Sequence, residues 1–178
     1  MMTADRILLI LKIISALGCG LTAGVLFAFS SFIMNALARL PAAQGIAAMQ
    51  SINITVVNPS FFGVFFGTAV LCLYLGGRSL FSWDEPGASL VLAGSLLYLL
   101  GTIVVTIAFN VPLNNALAAI KPQSAEGATL WAAYLSRWTA WNHVRTLAAL
   151  AAAALFVTAL FQRPTQVRDV LHLLNNME

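Results

Sequence analysis

The chain has 178 residues, 60% of them hydrophobic and 8% charged, with a formal net charge of +3 and a pI near 9.2. An ordinary globular domain carries about 25% charged residues, so this composition excludes a normal water-solvated surface and makes lipid the solvent for much of the chain. The nine Lys and Arg form no stripe or run, which excludes a nucleic-acid partner, and the length suits one domain, residues 1–178.

A membrane-spanning helix needs about 20 mostly apolar residues. The first such stretch covers residues 7–34 and is interrupted only by Lys12. It is too long for the apolar part of a signal peptide, which is about 7–15 residues. Only Arg6 precedes it as a basic residue, and Ala16-Leu17-Gly18-Cys19 is a weak match to a lipoprotein cleavage box. The segment is therefore expected to remain as a span. Lys12 reads either as a side chain snorkelling to the interface or as a functional membrane-buried lysine.

A connection of roughly 25 residues follows. In it Ile46, Met49, Ile52 and Val56 recur at helical spacing, which predicts an amphipathic helix at the bundle mouth or in the interface. The second span, residues 58–77, begins at Asn58-Pro59. A short polar link through Arg78 and Trp83-Asp84-Glu85-Pro86-Gly87 leads to the third span, residues 88–109. A second long connection carries Leu130, Tyr134, Trp138 and Trp141 at helical spacing, and the fourth span covers residues 143–161, leaving a tail at 162–178. Backbone polar groups in lipid must be satisfied within the segment, so the spans are helices. The expected fold is an all-α membrane four-helix bundle with two long, partly helical loops on one side. Gly20 and Gly24, and Gly63 and Gly67, are spaced for close helix packing inside it.

Cys19 and Cys72 both lie in apolar segments and read as small buried residues, not as a disulfide framework or a zinc site. With four spans the termini share a side with the short loop and with Arg6, Lys12, Arg78, Arg163 and Arg168. The other side holds Arg39, Lys121, Arg137 and Arg145. The positive-inside tendency then predicts a multi-pass protein with cytoplasmic termini.

Polar residues gather where the spans meet the long loops. They are Asn35, Asn58, Asn110, Asn114 and Asn115, then Trp138, Trp141, Asn142, His143 and Arg145. Trp138, Asn142 and Arg145 are spaced by 4 and 3 and share a helix face, as Asn110 and Asn114 do if helix continues through Pro112. His143 can still reach the bundle interior if the fourth span is central. Arg145 reads either as an interfacial anchor or as the charge of a polar pocket, and the tryptophans either as an aromatic belt or as pocket walls. No histidine pair has metal-ligand spacing, and Glu126 is the one carboxylate near the cluster. No metal is therefore expected, and nothing requires haem on His143 alone. No Gly-rich phosphate loop and no Ser-His-Asp set occurs either.

The segments Phe109-Asn110-Val111-Pro112-Leu113-Asn114-Asn115 and Trp138-Thr139-Ala140-Trp141-Asn142-His143-Val144-Arg145-Thr146, with Ala23-Gly24-Val25-Leu26-Phe27 and Asn58-Pro59, resemble the anthrone-oxygenase-like family of small membrane proteins. The resemblance covers nearly the whole chain. It implies a four-helix membrane fold and oxidation of an anthrone to an anthraquinone by dioxygen, with no dedicated cofactor.

On that footing the expected activity is a cofactor-independent oxygenase of a flat, apolar, anthrone- or hydroquinone-like substrate that enters from the bilayer. His143 would be the general base, and Arg145 and Asn142 would stabilise the enolate with Asn110 and Asn114. Trp138 and Trp141 would stack on the rings, and Asn58 would complete the binding site. The alternative is a non-catalytic binder of lipid or quinone, or a partner subunit, in which the polar cluster only ties loops to bundle. A transporter ranks last, since neither an inverted repeat nor a mid-membrane carboxylate is visible.

Overall fold

The computed structural model describes residues 4–162; residues 1–3 and 163–178, including Arg163, Arg168 and His172 of the expected tail, lie outside the described part. Four helices are long and apolar enough to cross a membrane: Asp5–Ala38, Pro59–Phe81, Ala88–Ala118 and Ala125–Leu160. No strand occurs among the described residues. The all-helical, four-span expectation is met.

The first span is built from α1 (Ala4–Ala28), a π-helical segment Phe29–Ile33 and α2 (Met34–Ala38). The helix α3 (Ala42–Thr55) folds back across that end of the bundle. Its predicted stripe faces inward, with Ile46 and Met49 buried and Ile52 and Val56 half-buried. Gln50 fixes it there by donating from Nε2 to the carbonyls of Leu117 and Ile120, at 2.8 and 3.0 Å. Those carbonyls belong to a helix end, where the intrahelical donors run out; that of Leu117 also accepts from the Ile120 amide at 3.3 Å.

The second span, α4 (Pro59–Phe81), starts where Asn58 accepts a hydrogen bond from the Phe61 amide at 3.0 Å, with Pro59 at the first turn. At the short link, Arg78 and Glu85 form a two-point ion pair at 2.6 and 2.7 Å. Gly87 then enters α5 (Ala88–Leu96) at φ 79. A Cβ there would also lie 3.1 Å from the Ala159 carbonyl, so only glycine suits the position.

The third span continues from α5 through two π-helical segments, Leu97–Val104 and Thr106–Asn110, into α6 (Val111–Ala118). Pro112 stands just past the second π segment, where the widened helix has already given up the pairing that proline cannot make. The fourth span is the single helix α7 (Ala125–Leu160), capped by Ser124, whose Oγ accepts from the Gly127 amide at 3.1 Å. Both spans therefore run past the limits that hydropathy marks. The second long connection is mostly their helical continuation, closed by a turn at residues 119–124. The helical phase of Tyr134 and Trp138 runs unbroken into Asn142 and Arg145. At 36 residues α7 is about 54 Å long, against about 30 Å of hydrocarbon.

The interior has two apolar cores. One, toward the short link, joins Ala16, Cys19, Cys72, Tyr98, Ala149, Ala152 and Phe156. The other, under α3, joins Met34, Ile46, Met49, Leu117, Trp131, Tyr134 and Trp138. Close backbone approach comes from Gly18 against Thr68, Gly76 against Ser95 and Gly101 against Ala148. The glycine pairs singled out by spacing do not contribute. Gly20, Gly24, Gly63 and Gly67 face open space, on sides of α1 and α4 that no helix among the described residues covers. Spacing marks a stripe of small residues but not which side of the helix a neighbour occupies.

Candidate functional site

A polar layer separates the two cores and centres on α7. Asn142 is fully buried. Its Nδ2 donates to the Leu26 carbonyl and to Ser30 Oγ, both at 2.7 Å, and its Oδ1 accepts from Arg145 Nη2 at 2.6 Å. The first span turns π-helical just beyond Leu26, where a side chain from α7 takes a carbonyl of the helical ladder. Thr146 Oγ1 closes the same tie, 3.1 Å from Ser30 Oγ.

Arg145 is 6% exposed. Besides Asn142 it donates from Nη1 to Thr106 Oγ1 at 3.1 Å, and its guanidinium carbon lies 5.1 Å from the Trp138 ring centre. A guanidinium has five N–H donors; the two bonds to Asn142 and Thr106 leave three without a partner, Nε among them. Among the described residues no carboxylate pairs with it. A buried charge with neither counter-ion nor full hydrogen bonding is costly. A structural anchor does not need that cost, whereas a site for an anion does.

Arg145 opens onto a cavity of about 240 Å³. Pockets that hold small ligands start near ~300 Å³, so this space lies at the small end and limits a ligand to a compact molecule. One wall is aromatic and comes from α4: Phe61 stacks on Phe65 at 5.5 Å, and Phe66 meets Phe62 and Phe65 edge-on. Phe29 and Trp138, 5.5 Å apart, form the facing wall. Met49, Ile52 and Val56 of α3 roof it. The polar lining is confined to Arg145, Thr106, Asn114 and Asn53. On the outer side α4 packs along α5 and the π segment Leu97–Val104, then parts from the rest of the third span. Phe62, Phe66 and Ile107 rim that gap and are exposed on the face turned toward lipid.

Asn114 has a fixed orientation. Its Oδ1 accepts from Tyr134 Oη and from Trp138 Nε1, each at 2.8 Å. An indole N–H can only donate, so the oxygen must face Trp138 and the amide nitrogen points away from it. That Nδ2 donates to no other group among the described residues.

The residues singled out by sequence divide into three sets. Arg145, Asn114 and Trp138 line the cavity, with Asn142 directly behind Arg145. Asn110 is buried and donates from Nδ2 to the Trp138 carbonyl at 3.2 Å, which holds the third span to α7 and leaves its Oδ1 without a partner. His143, Trp141 and Asn58 do not join them. His143 is exposed and lines a shallow groove with Asn35, Ser136 and Thr139 between the end of the first span and α7. Two residues along a helix turn a side chain by about 200°, so His143 and Arg145 point to opposite sides, and the expected base stands outside the pocket. Trp141 is turned about 60° from Trp138 and stacks on Phe109, ring centres 3.7 Å apart. Asn58 is occupied as the cap of α4 and donates from Nδ2 to the Thr55 carbonyl.

Sequence reasoning passed over Thr106, Ser30, Asn53 and the phenylalanines of α4. Thr106 carries a signal, since it lies four residues before Asn110 and eight before Asn114 on one helix face. Ser30 carries none. Among the described residues no three His, Cys, Asp or Glu are placed to hold a metal.

The family model for anthrone oxygenase matches residues 60–155. The matched segment contains α4, the third span and most of α7, and so carries Asn110, Asn114, Trp138, Asn142 and Arg145. No curated protein and no solved structure matches the chain. The match spans more than half of the chain, and the protein belongs to the anthrone oxygenase family.

Proposed function

We propose that the protein is a membrane-embedded oxygenase of an apolar aromatic ketone or hydroquinone, with the substrate lying between the phenylalanine wall and Trp138. The observation that carries this reading is a buried guanidinium without a counter-ion, opening into an aromatic-walled cavity. An aromatic molecule dissolved in lipid reaches the cavity through the gap rimmed by Phe62, Phe66 and Ile107. Its ring oxygen meets Arg145, with Asn114 beside it, and negative charge that develops on that oxygen is stabilised by donors already in place. Asn142 positions the guanidinium. The electron-rich ring is then oxidised by dioxygen. For an anthrone the methylene carbon becomes a carbonyl: one oxygen atom stays on the carbon, and the other leaves as water with the two methylene hydrogens.

Membership of the family supports this chemistry, and the shape and polarity of the cavity support the substrate class. A cytoplasmic placement of the termini remains part of the same proposal, on the distribution of Lys and Arg. The test is oxygen uptake by the purified protein in lipid nanodiscs with a panel of anthrones and hydroquinones. One dioxygen consumed per anthrone converted, lost in Arg145→Gln, is the expected result. Uptake equal to that of empty nanodiscs for the whole panel would overturn the reading. One observation favours a non-catalytic quinone binder instead. Among the described residues the cavity lining holds no group that exchanges protons near neutral pH, and binding without turnover across the panel would establish that alternative.

A further inference from the structure

Among the described residues, the lining of the cavity contains no Asp, Glu, His, Lys, Cys or Tyr. Its one ionisable group is Arg145, a permanent cation that cannot take up a proton. His143 is on the opposite side of α7. Tyr134 donates its hydroxyl proton to Asn114 and Tyr98 donates its own to the Phe65 carbonyl, and neither lines the cavity. The donors, by contrast, are fixed. Asn114 is locked by two hydrogen bonds with its amide nitrogen free, and Arg145 is held by Asn142 and Thr106 with three N–H bonds free. Such a site can hold a negative oxygen but cannot create one by removing a proton.

We propose that the cavity is an anion receptor without a base, and that it therefore selects substrates acidic enough to ionise unaided. This rests on the reading of the cavity as the substrate site given above. The class is an apolar fused-ring ketone in its phenolic tautomer, with a single acidic oxygen at one edge. The oxygen sits at Arg145 and Asn114 and the apolar edge points toward Phe62 and Phe66. Ionisation breaks the O–H bond. The proton passes to water outside the cavity, the electron pair stays on the oxygen, and Arg145 supplies the compensating charge. An aromatic lacking such an oxygen, or carrying its ionisable group at the opposite edge, is not taken.

The test needs no turnover. A monohydroxyanthraquinone has the ring outline of the proposed substrate, is already oxidised, and changes colour when its phenol ionises. Its absorption is titrated with pH in nanodiscs with and without the protein. An opposite charge within a few ångströms favours the anion by about one to three pH units. Binding to the wild-type protein is expected to lower the midpoint of the phenol by at least about one unit. Arg145→Gln should abolish the shift, Arg145→Lys should restore part of it, and Asn114→Leu should reduce it. No binding, an unshifted or raised midpoint, or an equal shift in folded Arg145→Gln overturns the proposal. If Arg145→Gln fails to fold, Asn114→Leu and the wild-type shift decide. A second arm measures kcat/KM against pH for three anthrones of different acidity. The inflection should move with the substrate. A common inflection near 6.5, the ordinary histidine value, that disappears in His143→Ala overturns the proposal. A lowered midpoint without oxygen uptake supports the receptor and removes the oxygenase reading. Turnover without a lowered midpoint does the reverse.

Discussion

The two halves of the bundle are built on opposite principles. Toward the short link, alanine, glycine and serine let α1, α4, α5 and α7 approach closely, and Phe156 and Tyr98 fill the space that remains. Toward α3, aromatic side chains and the π-helical segments Phe29–Ile33 and Thr106–Asn110 surround a hollow with one charge in its wall. Lipid tails are as apolar as the helices they surround, so helix association in a membrane relies on packing and on hydrogen bonds. The first half relies mainly on packing, through small residues, with one hydrogen-bonded link in which Tyr98 Oη donates to the Phe65 carbonyl at 3.0 Å and lies 3.1 Å from Thr22 Oγ1. The second uses hydrogen bonds, through Asn142, Asn110 and Asn114, and this leaves room for a ligand between the anchoring points.

Mutations at matched positions sharpen this contrast. The largest effect on stability belongs to the packed half. Phe156 is fully buried, and Phe156→Ala is expected to cost about 3–5 kcal/mol, read as a lowered midpoint of thermal unfolding in detergent, with unchanged activity per folded molecule. The largest effect on activity belongs to the hollow half. Arg145→Gln should lower kcat about 10²–10³-fold, the range for losing one fixed donor to a developing oxyanion, in protein that still binds an uncharged ring compound. If Arg145→Gln keeps full turnover, the hollow half is only a looser version of the packed one.

Smaller effects test the edges. Gly87→Ala forces a side chain into a left-handed turn against the Ala159 carbonyl. A loss of about 1–2 kcal/mol in unfolding stability is expected, with kcat unaltered. His143→Ala should leave both turnover and its pH profile unchanged, because the imidazole faces the outer groove; a lost acidic limb in the profile would return the histidine to the chemistry. The smallest effect concerns the short link. The Arg78 guanidinium, hydrogen-bonded to Glu85, holds that carboxyl below its ordinary value. A depressed folded-state value means the pair contributes above the unfolded value of about 4.3 and that its contribution is lost as pH falls through the folded value. Glu85→Gln should therefore narrow the stability gap between pH 7 and pH 3 slightly, since the pair is partly exposed and screened.

Legibility in the sequence followed the range of the interaction. Trp138, Asn142 and Arg145 could be placed on one face of a helix because their relation is set by 3.6 residues per turn alone. The same arithmetic, applied over the two residues from His143 to Arg145, puts them on opposite sides of the helix. The sequence left open which of those sides faced the bundle. The second long connection looked separate because its tryptophans, tyrosine and arginine lower hydropathy while leaving helical phase intact. The glycine pairs misled for a related reason, since spacing along one helix carries no information about the neighbour.

Composition and periodicity by themselves determined that this chain is a four-span helical protein in lipid, because apolar length and backbone hydrogen bonding within each segment are local properties. Only the tertiary structure decided which polar residues meet. Asn114 with Tyr134 and Trp138, Arg145 with Thr106, and Asn142 with Leu26 and Ser30 each join residues from different helices or distant turns. Such pairings depend on the rotation and separation of whole helices, which the π-helical segments alter by widening the turn.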